Sequence, residues 1–369
     1  MIRSTGFLAR CSALLLSLLS IPVSAAMLPG FRVETIATAD GFVSSVVADS
    51  QGTVWFTTTD GWIHRLAPDG TTSRIVQLPT RAGGNGGLLG MALLDDATAV
   101  VHYTTWYGEK VLDDVIARVD LTSGAQTVLA AFPCDVEVRE RGVSSEHHGG
   151  NPTVAPDGSV FVGIGEYGGF TLAQKPEWNG GKIWRIDPQT GAATQWALGL
   201  RNPYDLAWDP MLQRIVVADN GPVGGDELHV VDEGDNCGWP LTFGTEPPAE
   251  GATPPVFTFD RTVAPTGLAR LGGQHDLLRR GYLLGAFVPR ALYYFSSVAR
   301  NAASTPVAIF DGFSGFVIDV TEGPDGSLWL ATAWNGVTSI HRLHAPARGD
   351  CNGDARVDWR DILALLAEL

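Results

Sequence analysis

The hydrophobic positions of the chain repeat one pattern, in which two apolar segments flank a tight turn. The first segment alternates apolar and polar residues, and the second is rich in β-branched and aromatic residues. Pro156-Asp157-Gly158 and Pro324-Asp325-Gly326 are two of the turns, where Pro fixes φ and Gly accepts a positive φ. Each such unit predicts two antiparallel strands joined by a hairpin turn.

The unit recurs along the whole chain. Turn centres lie near residues 51, 95, 157, 209, 273 and 325, a spacing of about 55 residues. Several units contain a further strand that ends in Arg, at 62–65, 115–118, 182–185 and 339–342. Repeated sheets with no helical segment between them predict an all-β fold, a six-bladed β-propeller. A large β-sandwich or a jelly roll is the alternative, although neither predicts a period of blade length.

Composition supports a globular, turn-rich protein. The 369 residues are 45% hydrophobic and include 44 Gly and 22 Pro, which excludes wholesale disorder and favours turns over long helices. Asp and Glu number 40 and Lys and Arg 25, so the formal charge is −15. Because nothing offsets repulsion from phosphate groups, this charge argues against nucleic acid and anionic membranes as partners.

The N-terminus predicts export. Arg3 and Arg10 precede or flank a short apolar segment, which small residues follow at 24–26. This order is typical of a signal peptide, which we place at residues 1–25, with an anchored N-terminal helix as the alternative. We therefore expect a secreted protein, periplasmic or extracellular, without membrane insertion. A disulfide between Cys134 and Cys237 is possible in that compartment, but the sequence does not fix the pairing of these residues with Cys351.

Three loops carry residues suited to chemistry. Glu146 and His147 stand before the third unit, where a carboxylate could orient a general base, although a polar turn is the alternative. Arg201 and Asn202 form a fork for a carboxylate or a polarised carbonyl, or cap a blade edge. The loop at 219–227 is rich in oxygen ligands for Ca²⁺, while an Asp- and Gly-rich turn is the simpler interpretation.

Taken together, these loops resemble a known family. The matching segments, in order, are 86–92, 147–150, 180–183, 199–203, 219–222, 225–228, 236–240, 263–267 and 319–326. They include His147-His148-Gly149-Gly150 and Gly199-Leu200-Arg201-Asn202-Pro203, and they are similar to the soluble quinoprotein glucose dehydrogenases of the glucose/sorbosone dehydrogenase type. The matches cover most of residues 30–345, so we place a single propeller domain at 27–345.

The resemblance implies a cofactor and a reaction. Members of this family are six-bladed propellers that bind pyrroloquinoline quinone (PQQ) with Ca²⁺ and oxidise the C1 hydroxyl of aldoses. Carried over, His147 is the base that takes the hydroxyl proton, Glu146 orients it, and Arg201 contacts the cofactor and the reacting oxygen. The remaining cofactor contacts implied are Asn85, Asn202 and Thr262.

The resemblance also implies two calcium sites in the propeller. The backbone carbonyls of Gly221 and Pro222 match the ligands of the active-site Ca²⁺. Asp226 and Glu227 match a second, structural Ca²⁺ site, and Cys237 stands where the family usually has Tyr.

Several departures concern the carboxylates of the quinone. Phe316 and Ile318 stand where the family has two Arg, Pro289 or Arg290 stands at the position of a Lys, and Asn151 replaces a further Arg. Losing two or three charge-assisted hydrogen bonds costs about 3 to 9 kcal/mol of binding free energy. The alternative function is therefore a non-catalytic carbohydrate- or protein-binding propeller, and a Ca²⁺-dependent lactonase on the same architecture is a third.

The C-terminus predicts a separate calcium loop with a following helix. Oxygen ligands fall at loop positions 1, 3, 5, 9 and 12 of an EF-hand-type loop, with a backbone carbonyl at position 7. In that order, with the carbonyl last, they are Asp350, Asn352, Asp354, Asp358, Asp361 and Arg356. The segment 346–369 resembles one dockerin repeat, with a plain acidic tail as the alternative. We expect residues 349–369 to bind a cohesin-like or surface scaffold partner.

Overall fold

The strands of the structure form a ring of six four-stranded antiparallel sheets. A computed structural model describes residues 31–108, 110–134, 146–273, 278, 280–344 and 359–360. Within these residues the first three sheets contain β2 (Val43–Ala48), β3 (Val54–Thr58), β4 (Trp62–Leu66) and β5 (Thr72–Gln77); β6 (Leu88–Asp95), β7 (Thr98–Tyr107), β8 (Lys110–Asp120) and β9 (Gln126–Pro133); and β10 (Thr153–Val154), β11 (Val160–Ile164), β12 (Lys182–Ile186) and β13 (Ala193–Leu198).

The other three sheets complete the ring. They contain β14 (Pro203–Asp209), β15 (Arg214–Asp219), β16 (Glu227–Val231) and β17 (Phe257–Thr258); β18 (Pro265–Arg270), β19 (Tyr282–Ala286), β20 (Ala291–Phe295) and β23 (Val307–Phe310); and β24 (Phe316–Glu322), β25 (Leu328–Trp334), β26 (Val337–His344) and β1 (Arg32–Asp40). A small hairpin, β21 (Val298–Ala299) and β22 (Ala302–Ala303), and one 3₁₀ helix, η1 (Phe170–Gln174), lie in connecting loops. The prediction of an all-β, six-bladed propeller is confirmed.

The turns read from the sequence separate the first and second strands of the sheets. Each predicted turn centre lies between the first and second strands of its sheet, or at the end of one of them. In chain order, residues 51, 95, 157, 209, 273 and 325 belong to the pairs β2 and β3, β6 and β7, β10 and β11, β14 and β15, β18 and β19, and β24 and β25. The segments that end in Arg are the third strands β4, β8, β12 and β26. A fourth strand follows the third in five of the sheets, which the sequence pattern did not reveal.

The sixth sheet is closed by the N-terminal strand of the described chain. β1 pairs with β26 in antiparallel register, from Arg32 opposite His344 to Asp40 opposite Val337. The chain therefore connects the sixth blade to the first through β1 and β2, and the ring is closed inside the sixth sheet by the hydrogen bonds between β1 and β26.

Apolar packing lies between the blades. Six clusters of buried side chains each contain residues from two neighbouring sheets, so every blade is packed on both faces. The first strand of each sheet lines the central channel. Burial of this apolar area is the main stabilising contribution, at about 25 cal/mol per Å².

Some predictions lie outside the described residues. These are the signal peptide at 1–25, Cys351, and all six ligands of the C-terminal loop, namely Asp350, Asn352, Asp354, Arg356, Asp358 and Asp361. The possible Cys134–Cys237 disulfide is not formed, because the two buried side chains belong to different interblade clusters. No helix among the described residues is both long and apolar enough to cross a membrane.

Candidate active site at one end of the channel

Two cavities occupy opposite ends of the central channel. One, of about 430 Å³, is lined by the residues where the first strands begin and by the loops that join the blades. The other, of about 620 Å³, is lined by the ends of the same strands and by their turns. We call them the entry cavity and the turn cavity. Of the predicted site residues, Asn85 and Asn202 line the entry cavity, and His147 is the neighbour in sequence of His148, which also lines it.

His147 forms a short pair with a buried carboxylate. Its Nδ1 lies 2.7 Å from Oε1 of Glu166, whose side chain is fully buried, while the His147 side chain is 15% exposed. A carboxylate oxygen accepts hydrogen bonds, so Nδ1 carries the proton and Nε2 is left with its lone pair. A histidine held in this tautomer can accept a proton from a hydroxyl group at Nε2. His147 itself stands beside the entry cavity, next to His148, which lines it.

The prediction that Glu146 orients His147 is wrong. Glu146 is exposed, and the carboxylate in contact with the ring is Glu166, two residues beyond the end of β11. Gly165 brings it there: a Cβ on this glycine would lie 2.1 Å from the carbonyl oxygen of His147. A carboxylate directly after a strand that ends at the channel is a signal that sequence reading could have used.

Gly149 and Gly150 allow close backbone packing beside the site. A Cβ on Gly149 would lie 2.0 Å from the carbonyl oxygen of Gly163, and one on Gly150 would lie 2.1 Å from that of Tyr204. The pair therefore lets the chain pass between the third and fourth blades. Although Gly149 also lines the entry cavity, the requirement for glycine comes from close packing of backbones.

A buried network lies behind His148. Nδ1 of His148 is 3.0 Å from Oδ2 of Asp114, and Nε2 of His102 is 3.0 Å from Oδ1 of the same carboxylate. Burial alone would raise the pKa of Asp114, but His148 and His102 outweigh it and hold the pKa below its usual range. The network fixes one wall of the entry cavity. Asp114 and His102 gave no signal in the sequence.

Arg201 is engaged with backbone carbonyls. Its Nη1 donates to the carbonyl oxygens of Asn220 and Gly221, each at 3.0 Å, and its guanidinium lies 5.6 Å from the ring centre of Trp239. These contacts place the guanidinium at the carbonyl of Gly221 that was predicted to bind Ca²⁺. The Pro222 carbonyl accepts from the backbone N–H of Gly225 at 2.8 Å.

Asp219 anchors the loop that carries Arg201 and Asn202. Its two carboxylate oxygens accept the backbone N–H groups of these residues at 3.0 and 2.7 Å. Burial raises the pKa of Asp219 to about 7, and these hydrogen bonds and His229 act in the opposite direction. Asn202 in turn accepts the N–H of Gly149 at 2.9 Å through Oδ1 and lines the entry cavity.

Of the two other predicted cofactor residues, one lines the entry cavity and one does not. Asn85 lines the entry cavity on an exposed loop. Thr262 does not line it: its hydroxyl accepts the N–H of Gly224 at 3.0 Å and supports the loop behind the cavity.

Asp226 and Glu227 are not brought together as ligands of one ion. The Asp226 carboxylate accepts three backbone N–H groups, from Gly221, Val263 and Ala264, at 2.7–3.0 Å. Glu227 begins β16, contacts His229 at 3.0 Å and accepts the N–H of Gly244 at 2.6 Å. Neighbouring residues along an extended chain point in opposite directions, which explains the separation.

The described residues contain two buried clusters whose ligand atoms all lie within 4.8 Å of one another. They are Asp114, Cys134 and His148, and Asp219, Glu227 and His229. Each contains an imidazole, whereas Ca²⁺ takes oxygen ligands. Neither cluster therefore matches the calcium sites that the resemblance implies.

The wall opposite His148 is apolar. It includes Phe42, Val43, Leu89, Phe287 and Ile318. The ring of Phe287 stacks on that of Phe316, with ring centres 3.9 Å apart and an angle of 6° between the planes. Behind this pair the guanidinium of Arg290 lies 5.0 Å from the Phe316 ring centre and 4.3 Å from that of Trp334.

The fold and the site define a class: a six-bladed propeller with a ligand cavity and a histidine–carboxylate pair at one end of its channel. The chain belongs to the glucose/sorbosone dehydrogenase family, whose model matches residues 44–340. It is 26% identical over 307 residues to aldose sugar dehydrogenase YliI of Escherichia coli (strain K12), an alignment that covers 74% of this chain and 76% of the relative.

Solved structures share the fold. The soluble aldose sugar dehydrogenase of Escherichia coli in its apo-form matches with a TM-score of 0.75 and 20% identity, over 85% of this chain and 99% of that chain. The PQQ-bound form of the aldose sugar dehydrogenase of Streptomyces coelicolor matches with a TM-score of 0.72 and 24% identity, over 86% and 99% of the two chains. Homologues of this protein are thus sugar dehydrogenases.

The entry cavity does not fit the three carboxylates of PQQ. Among the described residues, none of those that line it is Lys or Arg, and His148 is its one ionisable side chain apart from Tyr204. Leaving a carboxylate without a partner in such a wall costs several kcal/mol, on the order of the penalty for a buried unpaired ion. The site has a histidine–carboxylate pair, but the described lining of the entry cavity contains no cation that would hold this cofactor.

Proposed function

We propose that this protein is an oxidoreductase that acts on a hydroxyl group of a sugar or a related alcohol. The observation that carries the proposal is the His147–Glu166 pair, with Nδ1 and Oε1 2.7 Å apart, at the edge of a cavity of sugar size. Membership of the glucose/sorbosone dehydrogenase family and the similarity to an aldose sugar dehydrogenase support the substrate class.

His147 has the role of base. Nε2 takes the proton of the substrate hydroxyl while the hydride on the same carbon leaves to a two-electron acceptor, so the alcohol becomes a carbonyl. For a cyclic aldose that reacts at C1, the product is a lactone. Glu166 holds the ring in the required tautomer and stabilises the imidazolium that forms, as the carboxylate does in other histidine–carboxylate pairs.

The polar residues beside His147 would orient the substrate. Asn85, Asn202 and Asn220 line the entry cavity and offer amide groups to sugar hydroxyls. Arg201 donates to the Asn220 and Gly221 carbonyls and would hold the loop that presents Asn220 to the substrate.

The test is oxidation of a sugar panel with dye as the final electron acceptor. The purified protein is assayed with Ca²⁺ and with PQQ or an uncharged quinone as mediator. We expect His147→Asn to lower the rate by about 10²- to 10⁴-fold, since a general base contributes that much. Glu146→Gln is the matched control, because Glu146 is exposed and does not contact the ring. Equal rates for wild type and His147→Asn would refute the role of His147.

A second candidate function is non-catalytic carbohydrate binding. The absence of Lys and Arg from the described lining of the entry cavity favours it, because that lining offers aromatic and amide groups that suit a neutral sugar. Saturable sugar binding by calorimetry, without turnover under any acceptor, would support this function over oxidation.

We further propose that residues 1–25 direct export and that residues 349–369 bind Ca²⁺ and a cohesin-like or surface scaffold partner. Oxygen ligands at Asp350, Asn352, Asp354, Asp358 and Asp361 support the metal. Calcium titration of the full chain against Asp350→Ala tests the loop: loss of one bound ion is expected, and unchanged stoichiometry would contradict it. The carbonyls of Gly221 and Pro222 are candidates for a second ion.

A further inference from the structure

The entry cavity is divided into a polar side and an apolar side. Asn85, His148 and Asn202 lie on the loops that lead into the second, third and fourth blades. The apolar residues come from the fifth and sixth blades, at Phe287 and Ile318, and from the first and second, at Phe42, Val43 and Leu89. Phe287 is held in place by its stack on Phe316 and by a hydrogen bond from its N–H to the carbonyl of Ala264 at 3.1 Å. The apolar side is thus a fixed part of the fold and not an accident of one exposed side chain.

The nearest cations are committed elsewhere. Arg290 lies over the rings of Phe316 and Trp334, and Arg201 donates to backbone carbonyls. Neither side chain lines the entry cavity. A ligand that presents carboxylates to the apolar side would therefore lose their hydration without gaining an ion pair.

We propose that the entry cavity takes an uncharged planar ring of the quinone class, which stands against Phe287 and Ile318, in preference to the tricarboxylate PQQ. The inference rests on the proposed function only for the role of this ring as the two-electron acceptor. It assigns Ile318 as a specificity-determining residue, because this residue lines the apolar side of the cavity.

The apolar side of the entry cavity distinguishes quinones by their charge more than by their shape. Flat rings pack well against aromatic and branched aliphatic side chains, in offset-stacked or edge-to-face arrangements. The cavity volume of about 430 Å³ accommodates a two- or three-ring molecule. Size therefore admits both kinds of quinone, and the absence of Lys and Arg from the described lining disfavours the anionic one.

The experiment measures binding without turnover. Quenching of tryptophan fluorescence in the full chain is titrated with 1,2-naphthoquinone, with its 4-sulfonate and with PQQ in the presence of Ca²⁺. The first two probes share a ring system and differ by one negative charge. We expect the uncharged quinone to bind at least about tenfold more tightly than the sulfonate, and PQQ not to saturate. PQQ binding as tight as that of the uncharged quinone would overturn the inference.

A substitution provides the reverse test. Ile318→Arg places a cation on the apolar side, and Ile318→Met is the matched uncharged control. Ile318→Arg should raise the affinity for PQQ and for the sulfonate by at least about tenfold, while Ile318→Met should not. If Ile318→Arg folds and its affinity for PQQ and the sulfonate is unchanged, the inference is contradicted. If this variant does not fold, the affinities of the wild type for the two naphthoquinones provide the test.

These outcomes separate the two proposals. An uncharged quinone that binds to a protein with no dehydrogenase activity would end the proposed function alone. Tight PQQ binding with sugar oxidation would end the preference for an uncharged ring alone. Glu146→Gln serves as an internal check, since Glu146 is exposed and does not line the cavity, so this variant should leave quinone affinity unchanged.

Discussion

The two cavities of the channel share five of the first strands but differ in the position of charge. On β24, Ile318 lines the entry cavity and its neighbour Asp319 lines the turn cavity. Asp205 joins Asp319 at the turn end, where both carboxylates are buried. An anionic cofactor at the entry end would need positive charge, and the described lining there contains no Lys or Arg. The turn end instead holds two buried carboxylates, away from the proposed substrate site.

The turn-end carboxylates act as clasps between blades. Asp319 accepts the N–H of Val46 at 2.7 Å, which joins the sixth blade to the first, and Asp205 accepts the N–H of Leu268 at 2.6 Å, which joins the fourth to the fifth. Carboxylates at the turn end thus connect neighbouring blades, whereas at the entry end carboxylates hold histidines, Glu166 at His147 and Asp114 at His148.

The largest expected effect is at the entry end. Glu166→Gln should lower kcat by about 10²- to 10⁴-fold with little change in KM, because a neutral amide no longer stabilises the imidazolium and can present an N–H group to Nδ1, which favours the other His147 tautomer. Steady-state kinetics across pH 5 to 9 measure it, and a positioning role predicts a shifted pH profile. A loss of thermal stability with unchanged kcat would show that Glu166 is only structural.

The next effect is at the turn end. Asp319→Ala should lower the free energy of unfolding by about 2 to 6 kcal/mol, because the N–H groups of Val46 and Val320 each lose their acceptor. Urea unfolding compares it with Asp319→Asn, which keeps one acceptor oxygen. Sugar oxidation per folded molecule should stay unchanged, and a selective loss of activity would contradict the separation of the two ends.

Stability should depend on pH through the same carboxyl groups. Burial raises the pKa of Asp319 to about 7, as it does for Asp219, whereas these groups titrate near the usual aspartate value when unfolded. The folded state then binds the proton more readily, so the free energy of unfolding falls as pH rises through this window and levels off above it. We expect a loss of roughly 1 kcal/mol per pH unit and group between pH 5 and 7. Asp319→Asn should reduce that slope, and identical slopes would contradict this origin.

The smallest effect concerns Thr262. Thr262→Val removes the acceptor for the N–H of Gly224, at a cost of about 0.5 to 1.5 kcal/mol of stability. Because Thr262 does not line the entry cavity, quinone and sugar affinities should change less than about threefold. A larger loss of affinity in titrations of the folded variant would restore Thr262 to the ligand site.

The fold was largely readable from the sequence, because turn chemistry and alternation are local. Asp157-Gly158 and Asp325-Gly326 mark their hairpins by residue type alone. The closure of the sixth sheet was not readable, since β1 and β26 are about three hundred residues apart and no local pattern links them.

The site was readable only in part. His147 stood out by residue type, but its partner Glu166 lies nineteen residues further on and arrives through the close packing of Gly165. Two predictions relied on residues that are adjacent in the sequence. Glu146 is not the carboxylate that contacts His147, and Asp226 and Glu227 have different hydrogen-bond partners. In the second case the alternation of extended chain already argued against a shared ion.

The pairing of β1 with β26 makes the propeller topologically circular. Residues 32 and 344 lie opposite each other in one ladder, so a short linker could join them and new termini could open at any exposed hairpin, such as that of Gln51 and Gly52. A circular permutant of this kind would carry its ends away from the N-terminal strand and let any one of the six blades serve as the seam.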